Sequence, residues 1–576
     1  MNTKLLAGIG AVAIAVGAYI ATQPSSSNTH ISLPELDYVP ADTAVFWGQL
    51  APFEQSKYMT YLPKELRQIQ QLEQITAAFR QQDNKNLDFL ATLMEQYNLA
   101  LTSPESMQQI LGFGSSFRAL AYTVGLLPTI RYELADPEAL LTTIKMAAQD
   151  AEISFSDEQI KGVNITRYKL ELAPSAELEL ITSVQGNWVT TTINTPFNTP
   201  EDLEVALGIT KPAQALSETN KLENYTEQFG FDGSALAFIN HIAIANGITA
   251  NKNTAFTRML DNALELSGDS TTLAAVRTPA CQADYSDIAS QWPATVMGVK
   301  AFNFTPEQVE IDADTIVVAN NTEMLSTLAK LRGFIPEQQE QHSTMMSMAY
   351  GIDVAQLAPT LNTLWRQFTQ ADFQCAELVA LQNQAKQNNP MAVAMMTGMA
   401  NGIKGMSASV FAYTLEQNQQ GEPEPKAFDA LLSLSADDPM MLVNTAKGLA
   451  PMLADLEIPT DGSAVSISQY LPAPTPLDVD VKLALKGQHL VLFSGDTSTQ
   501  VATKLAGQKL EKNGMVAFEI DMQAAMQPLM AMLAASGEPL PKEFAALSKQ
   551  NMHLALSMDV SDKGLVLGSD IVLKKP

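Results

Sequence analysis

The sequence predicts an α+β fold, a duplicated unit of antiparallel sheets covered by helices, with an N-terminal transmembrane anchor. Three observations lead to this prediction. Residues 186–208 and 487–507 share one pattern, in which a strand is followed by a polar turn and a short helix that ends near a glycine. An Asp-Pro pair at 136–137 and again at 438–439 opens a helical pattern. Residues 5–21 form an uncharged, apolar run at the N-terminus.

The shared strand–turn–helix pattern has a physical basis in each segment. Residues 189–193 are β-branched throughout and residues 490–493 are apolar, and both compositions suit a pleated, half-buried surface. Gly208 and Gly507 stand where a left-handed helix cap needs no Cβ. Residues 313–333 form a third, looser copy. Because a further strand follows each copy, we interpret the pattern as an internal repeat.

The Asp-Pro pairs extend the match upstream. Proline is favoured at the first helical position, behind an Asp that caps the helix. The equivalent positions lie about half a chain apart, as a duplicated unit predicts. We therefore expect the two units to superpose with Asp136 on Asp438 and with Gly186 on Gly487.

These patterns divide the chain into five segments. The predicted order is a signal anchor, a polar tether, a first α+β repeat unit, a connecting strand-rich segment with a partial repeat, and a second α+β repeat unit. Their bounds are 1–22, 23–37, 38–270, 271–343 and 344–576.

The N-terminal segment predicts export. Lys4 precedes the uncharged run, which as a helix is roughly 25 Å long and close to the shortest span of a bilayer. A cleaved signal peptide is the alternative, although the small-residue cleavage site at Ala21 is disturbed by Tyr19, two residues before it. The segment has no cysteine for a lipid anchor. With Lys4 inside, we expect a single-pass protein of the bacterial inner membrane with most of the chain in the periplasm.

Composition narrows the class of protein. Charged residues are 17% of the chain and hydrophobic residues 46%, which predicts large cores or apolar surface kept for a ligand or a membrane. The net charge of −27 would repel phosphate backbones, so nucleic-acid binding is not expected. Acidity by itself also serves solubility.

Long helical segments are expected to cover the sheets. Apolar residues recur at helical spacing within residues 52–111, and Glu65 and Arg67 are expected on the solvent-facing side. Residues 353–404 occupy the corresponding place in the second unit. The central strands show little alternation, as burial on both faces would give. We expect the helices at 66–111 and 357–399 to close one sheet face, with any apolar groove between these helices and the sheets.

Nothing in the sequence matches a specific catalytic or metal-binding motif. The five histidines have no metal-ligand spacing, and there is no nucleophile elbow, P-loop or dinucleotide fingerprint. We therefore predict no catalytic, cofactor-binding or metal-binding residues and no cofactor. The histidines are His30, His241, His342, His489 and His553.

Cys281 and Cys375 are the only cysteines. An even number in an exported chain predicts one disulfide. Its loop of about 95 residues would contribute roughly 4 kcal/mol in the chain-entropy model. Two buried free thiols are the alternative.

Methionine is abundant, with 26 residues, and Met391, Met395 and Met399 recur at about one helical turn. Adaptable core packing explains this spacing. A groove lined by these methionines for apolar ligands or partner helices is a second interpretation, and a thioether site for copper is a third.

Three features together resemble a known family. The opening at residues 39–43, Val-Pro-Ala-Asp-Thr, the Asp136-Pro137 helix and the strand–helix after Gly186 are similar to an exported bacterial family known as domain of unknown function 3352. The resemblance implies an exported α+β protein and brings no catalytic residues. The second unit has His-Ser-Thr-Met at 342–345 in place of the Pro-Ala-Asp-Thr opening.

The expected function is non-enzymatic. The anchor, the repeats and the missing motifs favour a periplasmic protein, held in the inner membrane through residues 5–21, that binds a lipid, another apolar ligand or an envelope protein. The alternatives are an envelope hydrolase whose site is assembled from distant residues and a purely structural envelope tether. An apolar pocket would favour the first class, and converging polar groups with shifted pKa values would favour a hydrolase.

Overall fold

The computed structural model describes residues 33–62, 67, 70–173, 176–337, 344–388, 390, 398–417, 423–470, 480–536 and 551–575. Contacts divide the chain into two compact units. Unit 1 extends to Val318 and includes residues 374–377, and unit 2 comprises residues 319–373 and 378–574. Both units are built from helices and antiparallel strands, which confirms the α+β class.

The predicted anchor at 1–22 lies outside the described residues. Within the described residues, no helix combines the length and the apolar character needed to cross a bilayer. The predicted tether, 23–37, includes residues that pack, because Pro34–Tyr38 forms a 3-10 helix in which Leu36 is buried.

Unit 1 is organised around one antiparallel sheet. Its strands are β1 (Val45–Phe53), β2 (Phe117–Val124), β3 (Leu127–Glu133), β4 (Phe155–Ile160), β5 (Val163–Ala173), β6 (Ala176–Gln185), β7 (Trp188–Asn194), β8 (Ala235–Asn240), β9 (Ala294–Phe304) and β10 (Gln308–Val318). Their order across the sheet is β10-β9-β8-β1-β2-β3-β7-β6-β5-β4.

Helices of unit 1 occupy the connections between these strands. They are α1 (Gln55–Tyr58), α2 (Gln70–Arg80), α3 (Lys85–Ala100), α4 (Pro104–Leu111), α5 (Pro137–Asp150), α6 (Pro200–Ala206), α7 (Lys221–Phe229), α8 (His241–Thr249), α9 (Ala255–Ser267) and α10 (Pro279–Gln291).

Unit 2 repeats this arrangement. Its strands are β11 (Met346–Tyr350), β12 (Ile403–Gln417), β13 (Pro423–Ala436), β14 (Ala464–Ser466), β15 (Lys482–Lys486), β16 (His489–Ser494), β17 (Val516–Asp521), β18 (Met552–Val560) and β19 (Gly564–Lys574). Its helices are α11 (Thr322–Ala329), α12 (Val354–Thr369), α13 (Ala376–Lys386, whose first two residues group with unit 1), α14 (Pro439–Leu449), α15 (Asp496–Leu505) and α16 (Met522–Ser536).

The strand order of unit 2 matches that of unit 1. It is β19-β18-β17-β11-β12-β13-β16-β15-β14, so each strand has its counterpart in the order β10 to β5. The described residues of unit 2 contain no counterpart of β4. Residues 136–208 and 438–507 therefore share their strand order.

Register agrees as well as order. Glu133 of β3 lies opposite Trp188, and Ser435 of β13 lies opposite His489. Each pair precedes an Asp-capped helix by the same three residues. Gly186 and Gly487 begin equivalent two-residue turns, each with φ of 62°. These registers place Asp136 on Asp438 and Gly186 on Gly487, as the sequence predicts.

Helices cover both faces of the sheet in unit 1. Tyr168, Leu170 and Leu178 pack in one cluster with Ile144 and Ala147 of α5. On the opposite face, Ile165 and Ile181 pack with Leu203 and Leu207 around α6. Residues on the two faces alternate along β5 and β6, as the pleat requires.

Two stretches around residues 271–343 differ locally from the expected pattern. The connecting segment 271–343 contains β9 and β10, and also helix α10, which the sequence pattern did not predict. Thr278 caps this helix by accepting from the Cys281 amide, with Pro279 at the first position. The partial repeat at 313–333 has the local strand–helix order, but β10 pairs with β9, whereas β7 lies between β3 and β6. Unit 1 ends within it, at Val318.

In the described part of unit 2, the helices cover one sheet face only in part. Met346, Met348, Met406 and Leu432 are between 39% and 55% exposed. They lie on one face of β11, β12 and β13, because Met348 pairs with Ala408 and Ala408 with Leu432. Among the described residues, α14 and the segment after it pack near Leu483, Leu485 and Leu490, on the neighbouring strands β15 and β16.

Candidate functional site

The candidate site is a cavity inside unit 1, between its helices and one face of its sheet. Its volume is about 350 Å³, within the range of roughly 300 to 1,000 Å³ that is usual for small-molecule pockets. The helix side includes Tyr58, Met59, Leu72, Leu90, Leu93, Met94, Leu101, Met107, Leu111, Leu140 and Ile144. The sheet side includes Pro128, Ile130, Tyr132, Leu180, Thr191 and Ile193.

Strands β3 and β7 form the floor of this cavity. Along β3, the lining residues Pro128, Ile130 and Tyr132 alternate with buried residues of the opposite face. Ile130 pairs with Thr191 across the β3–β7 ladder, and Ile193 of β7 pairs with Leu180 of β6. The floor is therefore set by strand register, as a half-buried face requires.

The helices that form the roof are fixed by capping and cross-linking hydrogen bonds. The Asn84 side chain accepts from the Asn86 amide at the start of α3, and Ser103 does the same for Ser106 at α4. Thr143 of α5 donates to the Ile110 carbonyl at 2.7 Å. Each capping side chain satisfies an otherwise unpaired amide at its helix N-terminus.

Tyr132 brings a hydroxyl group to the cavity. Its ring packs edge-on against Phe113, with 5.9 Å between ring centroids, and its hydroxyl has no hydrogen-bond partner among the described residues. Burial raises the pKa of Tyr132 to about 12. The group is therefore neutral at physiological pH and can donate or accept a hydrogen bond.

Arg67 and Gln55 are further polar groups in the lining. Arg67 is half-buried, and it donates from Nε to the Leu62 carbonyl at 3.2 Å and from Nη1 to the Thr102 carbonyl at 3.1 Å. The Gln55 Oε1 atom is buried and finds no partner in the described part of the chain. The sequence places Arg67 on the wet side of a helix, and this prediction is wrong because the side chain lines the cavity.

The predicted methionine groove falls largely outside the described residues. Met391 and Met395 are not among them, and of Met399 only its place in the 3-10 helix Gly398–Ala400 is described. The groove at these residues stays a prediction. The expected position of an apolar groove, between the long helices and the sheet, agrees with the cavity in unit 1.

The predicted disulfide is present. Cys281 and Cys375 are bonded, with 4.3 Å between their Cα atoms, and both are fully buried. The amides of Gln374 and Cys375 each donate to Asp284 Oδ2 at 2.7 Å. Residues 374–377 therefore belong to unit 1, although their sequence neighbours belong to unit 2.

Ser435 and His489 form a serine–histidine pair in unit 2 that sequence spacing did not indicate. The Ser435 hydroxyl lies 2.8 Å from His489 Nδ1, and Nε2 lies 3.1 Å from the Gln508 carbonyl. Both side chains are at most 1% exposed, so no substrate can reach the hydroxyl in this conformation. Their arrangement is that of a structural pair, since both ring nitrogens are bonded.

Within the described ranges, no cluster of three or more histidine, cysteine or acidic side chains has metal-binding geometry. The cavity lining contains no acidic side chain in that part of the chain. The arrangement can hold an apolar molecule and offers it few polar contacts.

Comparisons with known proteins assign this chain to no family. Neither a family model, nor a curated protein, nor a solved structure matches it. The resemblance to the exported bacterial family therefore depends on the short motifs at residues 39–43, 136–137 and 186–208.

Proposed function

We propose that the protein binds an apolar small molecule, of the lipid class, in the cavity of unit 1 and performs no chemistry on it. The observation that carries this proposal is the cavity of about 350 Å³ between helices and sheet, with its predominantly apolar lining. Removing apolar ligand surface from water contributes roughly 25 cal/mol per Å² to the free energy of binding. The lining thus favours apolar ligands without selecting strongly among them.

The proposed location is the periplasm of a bacterium, with residues 5–21 as the anchor in the inner membrane. Lys4 and the uncharged run support export. The Cys281–Cys375 disulfide supports it independently, because disulfides persist in oxidising compartments. We also propose that the chain belongs to the exported family and that its two units arose by duplication. The equal strand order of the two units supports the duplication.

A titration with an environment-sensitive apolar dye tests the binding. The wild-type protein should show saturable binding of one dye per chain. The double variant Ile130→Trp/Leu93→Trp fills the cavity from its floor and its roof, and it should weaken binding at least about tenfold, equivalent to roughly 1.4 kcal/mol.

The matched control is Leu432→Trp. Its position in unit 2 is equivalent to Ile130, but Leu432 is exposed, so dye affinity should not change. Absence of saturable binding in the wild type would favour a structural tether and refute the proposal. Equal affinity of the wild type and the double variant would place the binding elsewhere.

A further inference from the structure

We infer that the ligand of this cavity carries an acid group at one end, which Arg67 binds, and a single aliphatic chain. This inference rests on the proposed function and deepens it by naming the class of ligand. The chemistry is that of a long-chain carboxylic acid.

Charge in the cavity is the first observation. Arg67 is the one charged side chain among the described lining residues, in a chain whose net charge is −27. A cation beside an apolar surface in so acidic a protein is complementary to an anionic amphiphile. It disfavours a ligand with an ammonium head, since like charges repel.

Unused bonding capacity of Arg67 is the second observation. Its two hydrogen bonds go to backbone carbonyls, of Leu62 and Thr102, and it forms no ion pair with any described residue. The guanidinium has five N–H donors, and no described residue accepts from Nη2 or from the second hydrogen of Nη1. The two carbonyls fix the group in place, and a held guanidinium favours carboxylate binding.

Placement is the third observation. Arg67 is half-buried whereas the floor residues Ile130 and Thr191 lie within the sheet. An aliphatic acid can then lay its chain over the floor and keep its carboxylate partly hydrated at Arg67. A volume of about 350 Å³ is near the lower end for ligand pockets, which favours one aliphatic chain over the two of a phospholipid.

The test compares hexadecanoic acid with the neutral hexadecan-1-ol as competitors of the apolar dye on the full-length protein. The acid should bind the wild type more tightly. Arg67→Met, which keeps the apolar stem, should weaken acid binding about 10- to 100-fold and leave the alcohol unchanged, as loss of a charge-assisted hydrogen bond predicts. Arg67→Lys should keep part of the preference for the acid, because it retains the charge.

The outcomes separate the two proposals. If both competitors bind and Arg67→Met affects neither, the inference about the acid group is wrong and the lipid-binding proposal stands. If neither competitor nor the dye binds the wild type, the proposed function itself is wrong. Thermal unfolding of both variants shows whether they fold, and the alcohol affinity of Arg67→Met shows whether its cavity is intact.

Discussion

At the scale of single residues, Arg131 is the least expected feature of the core. It lies on β3, is 2% exposed, and its Nε and Nη1 atoms have no partner within the described residues. Its guanidinium packs over the Tyr38 ring, 4.7 Å from the centroid. A Cβ on Gly208 would lie 1.8 Å from Nη1, so glycine is needed there. In unit 2 the equivalent residue is Ser433, whose hydroxyl bonds that of Ser407.

Replacing this arginine should not cost stability. A buried cation without a carboxylate is expensive, so we expect Arg131→Met to raise the free energy of unfolding by about 1 to 4 kcal/mol. Urea denaturation measures the change. The control is Arg118→Met, which removes a partly exposed ion pair to Glu133 and should lower stability by about 1 kcal/mol or less. A clear loss of stability in Arg131→Met would contradict this expectation and show that contacts of the guanidinium, such as that with the Tyr38 ring, outweigh its desolvation.

His489 predicts a pH dependence of unit 2. Its Nε2 faces the Gln508 carbonyl and must carry the proton, so Nδ1 accepts from Ser435. Burial lowers the pKa of His489. Between the folded pKa and the unfolded value of about 6.5, the unfolded chain therefore binds more protons than the folded chain. This contribution to stability is complete above about pH 6.5 and is lost as pH falls below it.

The measurement is hydrogen exchange of β13 and β16 peptides between pH 7.5 and 5.5, corrected for intrinsic exchange. We expect protection in the wild type to fall by up to about 1.4 kcal/mol per pH unit at the acidic end. His489→Gln, which has no titrating group at this position, should show a smaller loss. An identical pH profile for both proteins would exclude His489 as the cause.

At the scale of elements, the disulfide covalently joins α10 to residues 374–377. Its sequence separation is 94, for which the chain-entropy model gives about 4 to 5 kcal/mol. Reduction, or Cys281→Ala/Cys375→Ala, should destabilise unit 1 by about that amount. Tryptophan fluorescence reports on it, since Trp47, Trp188 and Trp292 belong to unit 1. A reduced protein with an unchanged urea midpoint would contradict this account.

Much of the element order could be predicted from sequence because its signals are local. Asp136 and Asp438 accept amide hydrogens at their helix starts, and the turns at Gly186 and Gly487 need positive φ. Helix α10 was missed because its signal is one capped proline, Thr278-Pro279, beside apolar residues that also suit strands. The repeat at 313–333 matches the pattern only locally. Its sequence could not show which strands β10 pairs with, because strand partners depend on the whole sheet.

The site could be predicted only in outline. The expectation of an apolar groove between helices and sheet follows from strands that are buried on both faces. The position of the cavity in unit 1 agrees with it. Arg67 could not be assigned, because a charged residue at helical spacing normally faces water. Arg131 and the Ser435–His489 pair depend on contacts between residues 54 or more positions apart, which no sequence window contains.

At the scale of the whole molecule, the two units share one strand order but differ in how far helices cover the equivalent sheet face. In unit 1, helices α3 to α5 line the cavity above Ile130 and Thr191. In unit 2, the equivalent of Ile130 is Leu432, which is exposed together with Met346 and Met406. Both faces carry apolar side chains. The face in unit 1 is partly covered by helices, so it removes more ligand surface from water, and it offers Arg67 as an anchor.

Photo-crosslinking distinguishes these faces most directly. A hexadecanoic acid with a diazirine on its chain is irradiated with the full-length protein, and the labelled peptides are identified by mass spectrometry. Labels are expected on α3, α4 and β3. Unlabelled acid should compete for them, and Ile130→Trp/Leu93→Trp should strongly reduce them. Labels concentrated at Met346, Met406 and Leu432, or spread over both units without competition, would contradict a lipid-binding cavity in unit 1.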